Sequence, residues 1–274
     1  MPALDDELMT QDTGIPSRVI DLDRYEPRAD LLAGRVILVT GASRGIGRVA
    51  ALTFASYGAT VILHGRDVAR LEAVYDEIEA AGNAQATILP LALEKASDRD
   101  FENMAQAIQA QLKRLDGILH NASHFTHLGP LEHEHLEDWS QMLRVNLIAP
   151  FALTRACTPL LSAAPDASVV LTAETHAFAP AAFWGGYSVS KSGLLALNSI
   201  QAQEWESNPS LRINVLVPGK VNSPLRAQTH PGETNASRPA PEALMPLYLY
   251  LLGPDSRGVS GSVFDGLTRK QVAP

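Results

Sequence analysis

The chain has 274 residues, a formal net charge of −8, 46% hydrophobic residues and 19% charged residues. That is a globular balance, and it gives no electrostatic reason to bind nucleic acid or an anionic membrane surface. Cys157 is the only cysteine, which excludes an intrachain disulfide and a cysteine-built metal centre and fits a reducing, cytoplasmic compartment.

No apolar run reaches about 18 residues, so no membrane-spanning helix is expected. Met1 to Asp12 is acidic and lacks the basic-then-apolar pattern of a signal peptide. Residues 1–30 are polar, with Pro2, Gly14, Pro16 and Pro27, and read as an arm ahead of a single domain over 31–274. From Gly34 onward, short β-branched runs alternate with longer helical patterns. Strands are expected at Arg35–Thr40, Thr60–His64, Thr87–Leu91, Gly117–His120, Ser168–Thr172, Leu211–Val217 and Gly261–Phe264. Helices are expected at Gly45–Tyr57, Asp67–Ala81 (Asp67 as cap, Gly82 as stop), Ser97–Leu115, Glu137–Ala163, Gly185–Ser207 and Glu242–Gly253. Pro150 and Pro159 interrupt the long fourth helix, and Pro218 to Pro241 reads as a Pro/Gly-rich connection. Apolar strands separated by helices predict an α/β, doubly wound parallel sheet of about seven strands, with helices on both faces.

The turn after the first strand reads Thr40-Gly41-Ala42-Ser43-Arg44-Gly45-Ile46-Gly47. Its glycines allow a tight turn, a close approach of backbone N–H groups to a pyrophosphate, and a helix packed hard on its strand. The helix N-terminus adds about half a positive charge. This predicts a nucleotide site. The second strand ends Leu63-His64-Gly65-Arg66-Asp67. An acidic residue at its tip would favour NAD, but Asp67 lies past the turn and suits a helix cap. Arg66, with Arg44, suits the 2′-phosphate of NADP(H). Tyr187 and Lys191 stand four apart, on one face of the helix expected over Gly185–Ser207. A nearby ammonium favours phenolate, so this pairing makes the tyrosine a usable proton relay.

Together these features resemble the short-chain dehydrogenase/reductase family. The likeness rests on Thr40 to Gly47, His120-Asn121-Ala122, Val145-Asn146, Tyr187 with Lys191, Pro218-Gly219, Ser260-Gly261 and Asp265-Gly266, and covers about residues 34–270. The ending, Met245-Pro246-Leu247-Tyr248-Leu249 with Phe264-Asp265, is similar to a bacterial 3-oxoacyl-carrier-protein-reductase-like branch. The resemblance implies a Rossmann-type fold, NADP(H), and hydride transfer to or from a small carbonyl or imine. It implies that Tyr187 passes a proton, Lys191 binds the nicotinamide ribose, and Asn146 holds a relay water. Asn121 and Ala122 would line the cofactor, with Ser43, Ile46, Val221 and Ser223 around its diphosphate and carboxamide. It also implies a homodimer or homotetramer.

The pattern breaks at Glu174, thirteen residues before Tyr187, where the family places a serine. A carboxylate there accepts hydrogen bonds and repels an oxyanion. Three readings follow. Glu174 is kept protonated and donates, as in pterin-type reductases of the family; Thr172 or Thr175 supplies the hydroxyl; or the chain is a weakened or inactive NADP-binding homologue, serving as a sensor or an assembly subunit. Ser123 stands where glycine is usual, and Leu91 where an aspartate is. His124, His127, His133 and His135 read as a polar loop rather than a metal site, and Thr229–Arg238 falls where a substrate lid is expected.

Overall fold

A computed structural model describes residues 20–82, 85–234 and 238–272. Its sheet has eight strands: β1 Val36–Thr40, β2 Thr60–Gly65, β3 Ala86–Pro90, β4 Gly117–His120, β5 Ala167–Thr172, β6 Leu211–Val217, β7 Val263–Asp265 and β8 Lys270–Val272. Their order is β3-β2-β1-β4-β5-β6-β7-β8. All neighbouring pairs run parallel except β7 with β8. The expected sheet of about seven parallel strands is present as β1 to β7, and one short antiparallel strand, β8, is added to it. The additional strand, Lys-Gln-Val, is three residues long with an exposed–intermediate–exposed pattern, too short and too polar to announce itself.

The strands bury both faces. Ile37 and Val39 point into one core while Val36 and Leu38 point into the other, as the alternation of a strand requires. Helices α1 Gly45–Ser56, α2 Val68–Ala80 and α8 Met245–Leu252 fill the first core, through Phe54, Leu71, Ile78 and Tyr248. Helices α3 Asp98–Gln111, α5 Ala149–Ala163 and α6 Gly185–Glu204 fill the second, through Phe101, Ile108, Leu153 and Leu194.

The expected long helix over Glu137–Ala163 is in fact two. Helix α4 (Leu136–Leu143) leads through a π-helical turn, Arg144–Ile148, into α5, and Pro150 sits in the first turn of α5. A proline has no N–H to lose there. The Pro218–Pro241 connection contains helix α7 (Pro224–Thr229), capped by Ser223, whose hydroxyl accepts from Arg226 N at 3.1 Å. Part of the expected arm is woven into the fold. Asp21 bridges to Lys270, Leu22 is buried, and Tyr25 meets the edge of Tyr250 at 5.3 Å. Residues 1–19 of that arm, including the Met1–Asp12 stretch, and residues 235–237 of the expected lid lie outside the described residues. Among the described residues no helix is long and apolar enough to cross a membrane.

Candidate active site

The site lies past the C-terminal ends of β1, β2, β4, β5 and β6. There a cavity of about 390 Å³ is lined from the glycine turn to Tyr187. Gly41 (φ +69°) and Gly45 (φ +57°) adopt left-handed conformations that a side chain resists. A Cβ on Gly47 would run into the Gly41 carbonyl and the Asn121 amide. Gly47 therefore stays behind the wall, letting α1 seat on the turn. Gly41, Ser43, Arg44, Gly45 and Ile46 are in the wall. Thr40 ties the neighbouring loop to β1, its Oγ1 accepting from Asn121 N at 3.0 Å and Ala122 N at 3.1 Å. Asn121 and Ala122 are thereby held against the cavity, with Pro218, Gly219, Val221 and Ser223 on its other side.

At the tip of β2 the two arginines differ. Arg44 is exposed and its side chain makes no ion pair or hydrogen bond among the described residues. Arg66 is shared with Glu94 at 3.0 Å. Asp67 caps α2, accepting from Arg70 N at 3.2 Å, and is not in the cavity wall. Sequence reasoning missed His64, which lines the cavity fully buried with neither ring nitrogen partnered; burial pushes it down to about 4 and keeps it neutral. It also missed Arg226 on α7, held by both oxygens of Glu233 at 2.9 and 2.6 Å. Ser223-Pro224 was the signal that could have announced α7, as a cap followed by proline.

Tyr187 and Lys191 occupy the first turns of α6, both buried and both facing the cavity. Lys191 Nζ lies 5.9 Å from the centre of the Tyr187 ring and donates to Thr172 O at 2.9 Å. Burial lowers Lys191 to about 8, opposed by the charge of Glu174. Burial raises the Tyr187 phenol and the charge of Glu174 raises it further, opposed by the neighbouring Ser123 and by the charge of Arg226. Asn146, in the π turn, is buried behind the wall. Its Nδ2 donates to His124 O at 2.9 Å and Ser190 Oγ at 3.0 Å, and its Oδ1 accepts from His124 N at 2.7 Å and Ser123 Oγ at 3.4 Å. Every hydrogen-bonding position of that amide is used by protein.

Glu174 lines the cavity but is tethered. Its Oε2 accepts from His176 N at 2.6 Å and meets His176 Nδ1 at 2.7 Å, while the His176 ring stacks on Trp184 at 3.7 Å. Of the two threonines considered for the hydroxyl, Thr175 is exposed and outside the wall. Thr172 is in the wall, with its hydroxyl bonded to Tyr248 at 3.0 Å. Phe125 lines the cavity edge-on to Tyr187 at 5.4 Å. His124 lines the cavity and His127, His133 and His135 do not. Cys157 is buried and its thiol is pushed up to about 12.

A short-chain dehydrogenase family model matches residues 35–234. The chain is 39% identical over 241 residues to the uncharacterized oxidoreductase YciK of Escherichia coli K12, spanning 88% of this chain and 95% of that protein. A solved short-chain dehydrogenase from Salmonella enterica serovar Typhi superposes with a TM-score of 0.86 at 40% identity, covering 88% of this chain and 99% of that one. A structure from Escherichia coli CFT073, solved in complex with NADPH, superposes at 0.84 with 39% identity, covering 88% and 99%. The chain belongs to the short-chain dehydrogenase family of oxidoreductases.

Proposed function

We propose that this protein is an NADP(H)-dependent reductase of a small carbonyl or imine compound. The observation that carries the reading is one cavity with the glycine turn at one end and Tyr187 with Lys191 at the other. The residues present fit the cofactor. The left-handed glycines leave a cradle without side chains, the α1 N-terminus faces it, and Arg44 at the rim is a cation with no ion-pair partner among the described residues. The NADPH complex of a relative at 39% identity supports the same assignment.

Gly41, Gly45 and the first amides of α1 would hold the diphosphate, and Arg44 with Arg66 the 2′-phosphate. When bound, NADPH supplies the hydride that forms the new C–H bond. Tyr187 donates its phenolic proton to the substrate oxygen. Lys191, charged below about pH 8, biases that proton's transfer and would reach the nicotinamide ribose. Asn146 acts as a brace, fixing the loop after β4 against α6 through His124 and Ser190. Exposed apolar side chains on α5 (Phe151) and α6 (Val189, Ile200) support assembly as a homodimer or homotetramer along those helices.

A second reading, reduction of a pterin-like ring, is favoured by one observation. The Oε1 of Glu174 has no protein partner among the described residues, and it shares the cavity with the Phe125 ring, so an amino-substituted aromatic ring would find both an acceptor and a stacking surface. The test is NADPH consumption with cyclohexanone, an acyclic β-keto ester and a dihydropterin. Turnover with one of them, lost by about 10²-fold or more in Tyr187→Phe with NADPH affinity kept, supports the reading. Equal rates in Tyr187→Phe would overturn it.

A further inference from the structure

Three guanidiniums line the cavity. Arg44 and Arg66 stand at the tip of β2, where the 2′-phosphate of the cofactor is expected. The third, Arg226, is on α7, and nothing in the reduction of a simple ketone calls for it. Its place is fixed by its neighbours in the chain. Leu225 packs on the cluster of Met142, Trp184 and Tyr187. His230, whose N donates to Arg226 O at 2.9 Å, holds its ring 5.4 Å from that of Trp184. Helix α7 is thereby seated against the Tyr187 end of the cavity.

A guanidinium has five N–H donors. Arg226 uses two of them along one edge, Nε to Glu233 Oε2 at 2.9 Å and Nη2 to Glu233 Oε1 at 2.6 Å. The other edge, Nη1 with the second N–H of Nη2, has no hydrogen-bond partner among the described residues. Arg35 Nε and Arg212 Nε are unpartnered as well, but they are sealed in the core, and Arg226 Nη1 is not. The side chain is only 10% exposed, so the bond to Glu233 fixes the plane of the group and leaves its open edge preorganised. Glu233 is itself shared with Arg238 at 3.9 Å, and so does not use up the charge of Arg226. We infer that the open edge of Arg226 binds a carboxylate on the substrate, so that the compound reduced at Tyr187 is an oxo acid.

This rests on the carbonyl-reductase reading and deepens it. A planar fork matches a carboxylate through two parallel, charge-assisted hydrogen bonds. Glu174, in the segment after β5, lines the same cavity and repels an anion, which directs the carboxylate to the α7 side. The carbonyl carbon takes the hydride of NADPH, its oxygen takes the Tyr187 proton, and the carboxylate is left unchanged. The products are a hydroxy acid and NADP+. Glu233 is a positioning residue, aiming the fork through Arg226 without touching the substrate.

The test uses the full chain with NADPH and the α-, β- and γ-oxo derivatives of pentanoate, each beside its methyl ester, which keeps the shape and loses the charge. Parent, Arg226→Gln, Arg226→Lys and Glu233→Gln are compared after titration with NADPH has shown each to be folded. In the parent, kcat/KM for at least one acid should exceed that for its ester by on the order of 10- to 100-fold, mainly through KM. In Arg226→Gln the preference should collapse to within about threefold. Arg226→Lys keeps the charge and loses the fork, so it should fall between the two, and it decides the matter if the glutamine variant is not folded. Glu233→Gln should keep the preference or enlarge it. A pair that is only structural would make the Arg226 and Glu233 variants fail alike, and that outcome overturns the inference. Calorimetric titration of the protein–NADP+ complex with each acid, where no hydride is available, should give the same ranking without turnover. Esters used as well as their acids, or an acid preference that survives in Arg226→Gln, overturn the inference and leave the reductase reading standing. If nothing turns over but an acid binds the NADP+ complex in an Arg226-dependent way, the reductase reading falls and the carboxylate site stands. If no acid binds either, both fall.

Discussion

The two ends of the central strands are built on opposite principles. At their C-terminal ends β1, β4, β5 and β6 open onto the cavity, where Lys191, His64 and Tyr187 are buried around empty space. At their N-terminal ends the same strands are tied shut by charge. Asp166, just before β5, binds Arg35 Nη1 at 2.7 Å and also Arg212 of β6. Asp116, just before β4, accepts from Val36 N at 2.8 Å and from Arg114 Nε at 2.6 Å. Buried charge is costly unless paired, and at the closed end each buried carboxylate has its guanidinium. At the open end buried groups lack full pairing, and their proton affinities shift: Lys191 falls to about 8 and His64 to about 4. One end holds the strands in register while the other is left free for chemistry.

The sharpest way to separate the ends is Asp166→Asn. It leaves Arg35 and Arg212 buried without an anion and should cost about 3–5 kcal/mol, lowering Tm by on the order of 10 °C, with NADPH affinity unchanged. Wild-type stability should follow the same carboxylate. Burial raises its pKa, but Arg212 and Arg35 more than reverse that, so the folded value is depressed. The contribution is then present above the ordinary carboxylate pKa and is lost as pH falls through the lower folded one. Melting curves on acidification check the sign. Gly47→Ala attacks the other end by pushing a methyl into the Gly41 carbonyl. It should cost on the order of 3 kcal/mol and weaken NADPH by on the order of 100-fold. An unchanged titration would mean that the turn is not the cradle described above.

Arg44→Ala should be smaller and more selective. NADPH weakens by about 10- to 100-fold, the loss of charge-assisted bonds contributing ~1.5–3 kcal/mol, and NADH is untouched. Equal losses for both cofactors would remove Arg44 from the 2′-phosphate site. Glu174→Gln should have the smallest effect. The carboxylate's charge raises both Lys191 and Tyr187, so its removal moves the alkaline limb of kcat/KM to lower pH, by less than about one unit. A rise with Glu174→Gln would show that the charge does not act on the pair.

The contrast between the ends also governs what could be read from the sequence. The glycine turn and the Tyr187–Lys191 pair are encoded locally: three glycines within seven residues, and two side chains one helical turn apart. Asp67 as a helix cap was legible for the same reason. The Asp166 network joins residues 131 and 46 positions apart, and no local pattern reveals it. The same holds for Phe125 meeting the Tyr187 ring across the cleft. Glu174 shows a different gap. Its departure from the family serine was visible, but its engagement with His176 depends on a short turn after β5, whose backbone bends the carboxylate back onto its own chain. Strand β8 escaped because edge pairing demands so little of three residues, two of them polar.

The measurement that bears most directly on the account is a fluorescence titration of the purified protein with NADPH, with NADH beside it. Micromolar binding of NADPH is expected, tighter than NADH by on the order of tenfold or more, because the glycine cradle is intact and the exposed Arg44 stands at its rim to take a 2′-phosphate. Absence of binding of either nucleotide at millimolar concentration would contradict it, and would turn the cavity between the glycine turn and Tyr187 from a cofactor site into a relic of one.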